Sequence, residues 1–246
     1  MLGPPASDRQ LSTGQSNCEA PRESAITHKM KTQAPLNAAE RVYRAIRGDL
    51  IACRFLPGDA LSRASLAKDH DTSQTPVREA LLRLEREGFL TVKPQAGTKV
   101  APIDPVAVHQ AHFLRRSLEE SVVRRLAARN SAHGVSDPIC RLAPDAARPD
   151  IARADEAFHE SLFAAVGMAA LFEAVAPLLV PLERCAALRQ VTSDEVASAA
   201  RAHADILDRI TQGDPDGAAQ AMAAHLASDV ADLAALQDSR PDMFAT

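Results

Sequence analysis

The chain has 246 residues, enough for one large domain or two ordinary ones. A hydrophobic content of 46% excludes a wholly disordered chain, and only 3% aromatic residues argue for close-packed helices rather than stacked sheets. The formal charge of −4 is unevenly spread: residues 36–103 carry 11 Lys and Arg against 8 Asp and Glu, residues 104–246 carry 13 against 21. Attraction to phosphate acts over about a Debye length, ~8–10 Å, so the first half can meet nucleic acid although the whole chain is acidic. No apolar run approaches a membrane-spanning length. No basic-then-apolar leader opens the chain, so a cytoplasmic protein with no membrane contact is expected. Cys18, Cys53, Cys140 and Cys185 form no C-x-x-C pair, which argues for reduced thiols and against a zinc finger.

Residues 1–35 are rich in Ser, Pro, Gly, Gln and Thr and lack hydrophobic period, which predicts a disordered tail; Met30 within it is a candidate alternative start. Asn37, with Glu40 three residues on, opens a first helix striped by Val42, Ile46, Leu50 and Ile51. Phe55 to Asp59 is a turn, and a short helix follows from Ser62. Asp69 to Ser73 breaks it. Thr75 as cap and Pro76 at the first helical position start a further helix, with Val77, Leu81, Leu82 and Leu84 inward, Arg78, Arg83 and Arg86 outward, and Gly88 at its end. Phe89–Val92 and Thr98–Ala101, around Pro94-Gln95-Ala96-Gly97, read as a β-hairpin.

Asp104-Pro105 begins an all-helical region, with helices expected near 104–131, 150–166, 168–190, 193–212 and 214–238. Pro177 and Pro181 are expected to kink or split the third. The Pro-rich stretch 132–149 reads as a loop. The fold class is therefore mainly α: a winged helix-turn-helix over 36–103, then an antiparallel all-α bundle over 104–240.

In a winged helix-turn-helix the second helix of the pair enters the major groove. Arg78 on its polar face can donate two hydrogen bonds to a guanine. Gln74 and Thr75 can reach a base or a phosphate, and Gly97 and Lys99 bring the wing to the backbone. Alone, an outward Arg is usually a solvated charge. The ordered combination is more specific: L-x4-L-A-x5-S-Q-T-P-V-R-E-A-L-x-R-L-x-x-E-G-F-L, Leu61 to Leu90, preceded by P-G-D-x-L from Pro57, resembles the GntR family of bacterial regulators. The resemblance implies operator contacts from Thr75, Arg78 and Gly97. Arg63 stands near a position where relatives often touch DNA. Gln74 replaces the usual Arg, which points to a lost or altered base contact. Asp71 replaces the usual turn Gly, and Asp tolerates the left-handed region better than most residues.

Asp155 and His159, four apart, share a helix face and can ligate one ion; an i,i+4 Asp–His pair is more often a surface pair. His203 and His225 lie on the last two expected helices, which should pair antiparallel across Gly213-Asp214-Pro215. Three imidazoles and a carboxylate suit a divalent Zn, Ni, Mn or Fe ion. D-x-x-F-H-x-x-L (Asp155 to Leu162), H-x-x-I-L-x-x-I-x-x-G-D-x3-A-x3-M-x-x-H-L (His203 to Leu226) and R-x-x-L-E (Arg115 to Glu119) resemble the FCD effector domain. The resemblance implies that Asp155, His159, His203 and His225 bind the metal and that a small organic acid binds beside it. Arg115 either clamps the effector carboxylate or pairs with Glu119. Gly167-Met168 replaces the family's usual Gly-Asn, and the short 132–149 stretch suggests a missing or stunted helix. Met168 and Met222 read as core fillers.

The expected function is a homodimeric repressor. It reads double-stranded, pseudo-palindromic operator DNA under control of that effector. A regulator with a structural or sensory metal is the first alternative. A metalloenzyme is the second; it lacks an obvious base, since Glu160 should point away from the ion, and no enzyme is expected.

Overall fold

A computed structural model describes residues 37–93, 97–143, 146–189 and 193–245. The expected tail 1–35, with Met30, and the wing-turn residues Pro94, Gln95 and Ala96 lie outside the described residues.

Helix α1 spans Ala38–Ile51, with the Asn37 side chain accepting the Glu40 N–H at 2.8 Å. Its i,i+4 stripe buries Val42, Ile46 and Leu50 completely. Helix α2, Arg63–Asp69, is capped by Ser62, and helix α3 spans Gln74–Arg86. Between them Asp71 has φ +46°, the left-handed value the turn demands. Two details differ from expectation. Ser73, not Thr75, occupies the cap position, so Pro76 is the third helical residue, still in the turn whose N–H groups lack intrahelical partners. Leu82 is 42% exposed, because the 100° step of a helix puts Val77, Ala80, Leu81 and Leu84 on the inner face and Leu82 on the other.

Strands β2 (Leu90–Lys93) and β3 (Gly97–Val100) pair antiparallel, Thr91 opposite Lys99. A two-residue strand β1, Ala60–Leu61, joins the other edge of β3, giving the order β1-β3-β2. It is too short to show a period in the sequence. The core of this half joins Val42, Ile46, Leu50, Val77, Leu84, Phe89 and Leu90, with Val180 contributed by the second half.

Helix α4, Pro105–Ala127, is capped by Asp104, which accepts the Val106 N–H at 2.9 Å. A 3-10 turn at Ile139–Arg141 is the regular structure between it and α5, Arg148–Ala165, among the described residues. The described residues of the expected loop thus hold one tight turn before α5 begins. Helix α6, Ala169–Leu188, runs through Pro177 and Pro181 without being split. Pro177 leaves the carbonyl of Glu173 without its intrahelical donor, on an exposed face of the helix. Helices α7, Ser193–Gln212, and α8, Pro215–Leu226, pack against each other, and α4 packs against both. The helix expected over 214–238 is instead three pieces: α8, α9 (Ser228–Ala231) and α10 (Leu233–Ser239). Phe158, Leu162, Ile206, Ile210, Met222 and Leu226 fill the bundle and are fully buried. Among the described residues, no helix is long and apolar enough to cross a membrane.

Gly213, at φ +69°, makes the α7–α8 turn, and a Cβ there would lie 2.5 Å from Asn130 Oδ1. Gly213→Ala is therefore expected to cost about 1–3 kcal/mol in urea unfolding, from backbone strain plus the clash. Gly134→Ala, also at positive φ but with open space around the added carbon, is expected to cost less; equal losses would show that the Asn130 contact does not matter.

Candidate metal centre and DNA-reading surface

The bundle brings Asp155, His159, His203 and His225 together from α5, α7 and α8, with ligand atoms all within 4.8 Å of one another. His225 Nε2 lies 3.2 Å from His159 Nε2 and 3.3 Å from His203 Nε2. Asp155 Oδ1 lies 3.4 Å from His203 Nε2 and 3.9 Å from His225 Nε2, and its Oδ2 lies 3.7 Å from His159 Nε2. Phe158 stacks on His203 at 3.8 Å between ring centres and fixes its plane.

The partners of the other ring nitrogens decide what this cluster can hold. His159 Nδ1 donates to Glu119, and His203 Nδ1 donates to Asp137 at 3.1 Å. Ionised carboxylates only accept, so both rings carry their proton on Nδ1 and turn a bare Nε2 lone pair inward. His225 Nε2 faces both and can donate to one at most. At least one lone pair is therefore left facing a carboxylate with no proton between them, an arrangement that a cation would relieve. Metal–nitrogen bonds of about 2.0–2.1 Å put neighbouring tetrahedral ligand atoms roughly 3.3–3.4 Å apart, close to the 3.2, 3.3 and 3.4 Å found. The residues fit a divalent ion, and the carboxylate-histidine pairs are the usual support for metal-binding imidazoles.

Charge points the same way. Glu119, Asp137 and Asp229 flank the cluster that contains Asp155, and among the described residues the guanidinium paired with Glu119, Asp155 and Asp229 is that of Arg115. Arg115 reaches Glu119 at 2.9 Å, Asp229 at 3.0 Å and Asp155 at 3.6 Å. Burial pushes the Glu119 carboxyl up, but His159 and Arg115 overcome it and hold the group down at about 2. Burial also opposes the charge on Asp155, yet the Arg115 guanidinium at 3.6 Å helps hold it well below the usual carboxylate range. Burial lowers His225 to about 3, leaving its ring neutral and able to ligate. Burial raises Asp229. The His159 and His203 side chains are 1% and 0% exposed, Asp155 30%, so solvent reaches the cluster from the Asp155 edge. Glu160 is exposed.

Glu119 closes the R-x-x-L-E motif, but nothing in that motif marks it as the acceptor behind His159. Asp137 sits in the Pro-rich loop, where spacing carries no information. Glu119→Gln is expected to weaken metal binding about 10–100-fold, as losses behind a ligand do, with the fold retained. Isothermal titration with zinc measures it; unchanged affinity would remove Glu119 from the site.

In the first half, Arg63 is exposed at the start of α2, and Gln74, Thr75 and Arg78 are exposed on the first turns of α3. Gly97 and Lys99 are exposed on β3, Gly97 at φ +83°. Arg83 is used internally: it stacks over Tyr43 at 3.5 Å and pairs with Glu40 at 2.9 Å and Glu87 at 3.1 Å. No such partner holds Arg78 among the described residues.

Comparison with known proteins matches residues 38–100 to the family described as bacterial regulatory proteins, gntR family, and residues 110–228 to the FCD domain. A Streptomyces ambofaciens protein, described as an HTH-type transcriptional regulator in an unstable DNA locus, is 32% identical over 83% of this chain and 89% of its own. The Escherichia coli HTH-type transcriptional repressor RspR is 25% identical over 89% and 98%. Among solved structures, Escherichia coli McbR/YncC has a TM-score of 0.64 at 21% identity, covering 81% of this chain and 98% of its own. A GntR regulator from a Rhodococcus species has a TM-score of 0.61 at 21% identity, covering 81% and 99%. These two structures share the fold.

Proposed function

Because this chain belongs to the GntR family of bacterial transcriptional regulators, with an FCD domain behind its winged helix-turn-helix, we propose that it is a homodimeric repressor governed by a small carboxylate effector bound beside a divalent metal. Asp155, His159, His203 and His225 hold the ion, which supplies a Lewis-acidic anchor for the effector. The observation that carries this reading is the convergence of three imidazole Nε2 atoms and a carboxylate on one point. The Asp155 edge is the open side, where a small acid can enter.

Arg78, Gln74 and Thr75 contact bases from α3, while Arg63, Gly97 and Lys99 meet the backbone. Two-fold symmetry of the protein matches a two-fold operator. RspR and a D-xylose utilization regulator from Paenarthrobacter nicotinovorans, 31% identical over 70% of this chain, are both described as repressors. The effector acts by binding one arrangement of the two halves more tightly than the other.

One observation favours a second reading. Arg115, read from the sequence either as an effector clamp or as a partner of Glu119, pairs with Glu119 and faces two further carboxylates. In that reading the metal itself is the signal, or only braces the bundle. Titrating zinc, with and without a panel of small organic acids, against the duplex this protein selects from a random library separates the two. An acid-dependent change in affinity, found only with zinc bound, supports the effector reading. A zinc response indifferent to every acid supports the second. Loss of both responses with zinc bound leaves a brace.

A further inference from the structure

The chain does not end at the metal-bearing helix. After His225, α9 and α10 lead to a 3-10 turn at Pro241–Met243 that returns to the start of the bundle. There the Ile103 N–H donates to the Met243 carbonyl at 2.9 Å, and the Ala245 N–H donates to the Ile103 carbonyl at 2.8 Å. This is a parallel bridge between Ile103 and Phe244. Ile103 lies in the linker that joins the two halves. Ile103, Met243 and Phe244 are all buried, in one cluster with Val108, Leu182 and Leu233, against which Leu56 of the DNA-reading half also packs. Two residues before Ile103, the Ala101 carbonyl accepts from the buried Arg184 at 2.8 Å. The linker is thus held by α6 at Ala101 and by the C-terminal segment at Ile103. Asp242 and Phe244 reach further and line a cavity of about 450 Å³ together with Lys93 and Lys99 of the wing.

The other end of this segment begins at the ligand cluster. Asp229, four residues after His225, pairs with Arg115 at 3.0 Å, and Arg115 is 3.6 Å from Asp155. Arg189 holds the Ser228 carbonyl at 3.0 Å and Asp232 at 3.2 Å.

We propose that the C-terminal segment from Asp229 to Ala245 is the element that carries the state of the metal cluster to the linker, and so to the wing. The proposal rests on the reading of Asp155, His159, His203 and His225 as metal ligands. Arg115 is shared between Asp155 and Asp229. A cation among the ligands competes with Arg115 for Asp155 and leaves the guanidinium to Asp229, which tightens the first turn of α9. That change is passed along a short length of chain, anchored by the buried Leu233, Met243 and Phe244, whose far end is hydrogen-bonded to the linker. A coupling route needs an element that both sites bias, and this segment touches both.

Hydrogen exchange of the full chain, with zinc and with a chelator, tests the link directly. Native mass spectrometry counts bound zinc in the same samples. The expected result is one zinc per chain and at least tenfold slower exchange of the Ile103 and Ala245 amides when it is bound. Zinc bound with both amides unchanged overturns the proposal and leaves the metal site standing. No zinc bound removes the metal reading and the proposal with it. A chain ending at Ser239, and the milder Phe244→Ala in the full chain, should each keep the zinc and lose its effect on affinity for the selected duplex. An unaltered zinc response in either one contradicts the proposed route.

Discussion

Replacing His225 by alanine is expected to weaken divalent-metal binding by a factor on the order of a hundred or more, with little loss of metal-free stability. The two halves of this expectation have one cause. His225 Nε2 stands 3.2 Å from His159 Nε2 and 3.3 Å from His203 Nε2, so it completes the ligand set. Without a cation at most one of these contacts is a hydrogen bond, so their removal costs the empty site little. The side chain is 10% exposed, so alanine leaves a small, wettable gap rather than a sealed cavity. In the unaltered chain, zinc at a hundredfold excess over its Kd should add about 2.7 kcal/mol of stability. For a chain of this size that raises Tm by roughly 5–10 °C. The variant should show no such rise at the same zinc concentration. A rise of the unaltered size would place the ion elsewhere in the molecule.

Arg78→Ala is the second large effect expected, at about 1–3 kcal/mol of operator affinity, or roughly five- to 150-fold. Arg78 is exposed on α3 with no partner among the described residues, whereas Arg83, five residues on, is occupied by Tyr43, Glu40 and Glu87. A bidentate contact to a guanine would be lost, so discrimination at one base pair should relax while binding to random DNA changes less. Lys99→Ala offers the contrast. A lysine that meets only phosphate should weaken all duplexes alike and reduce the salt slope by about 0.9. If Arg78→Ala behaves like Lys99→Ala, then Arg78 reads charge and not sequence.

Much of this arrangement is legible in the residues, and the parts that are not share a reason. The stripe Val42, Ile46, Leu50 and the inward set Val77, Leu81, Leu84 follow from helical period. Asp155 and His159 share a face by spacing alone, and Gly213-Asp214-Pro215 sets the turn that brings His203 to His225. Features that depend on distant partners escape. Ala60 and Leu61 become a strand only because β3 offers a free edge. Asp137 becomes part of the site only because its loop folds over α7 to reach His203. Breaks after Leu226 and Ala231 carry no Gly or Pro, so an Ala-rich period ran on in the sequence where the chain bends. The return of Phe244 to Ile103, across the whole bundle, leaves no local signal at all.

X-ray absorption of the zinc-loaded protein at the zinc edge addresses the four-ligand centre directly. The account predicts three imidazole nitrogens and a carboxylate oxygen at about 2.0–2.2 Å, with the imidazole count falling to two in His225→Ala. A spectrum with one imidazole or none, or zinc that washes away during gel filtration, would contradict it.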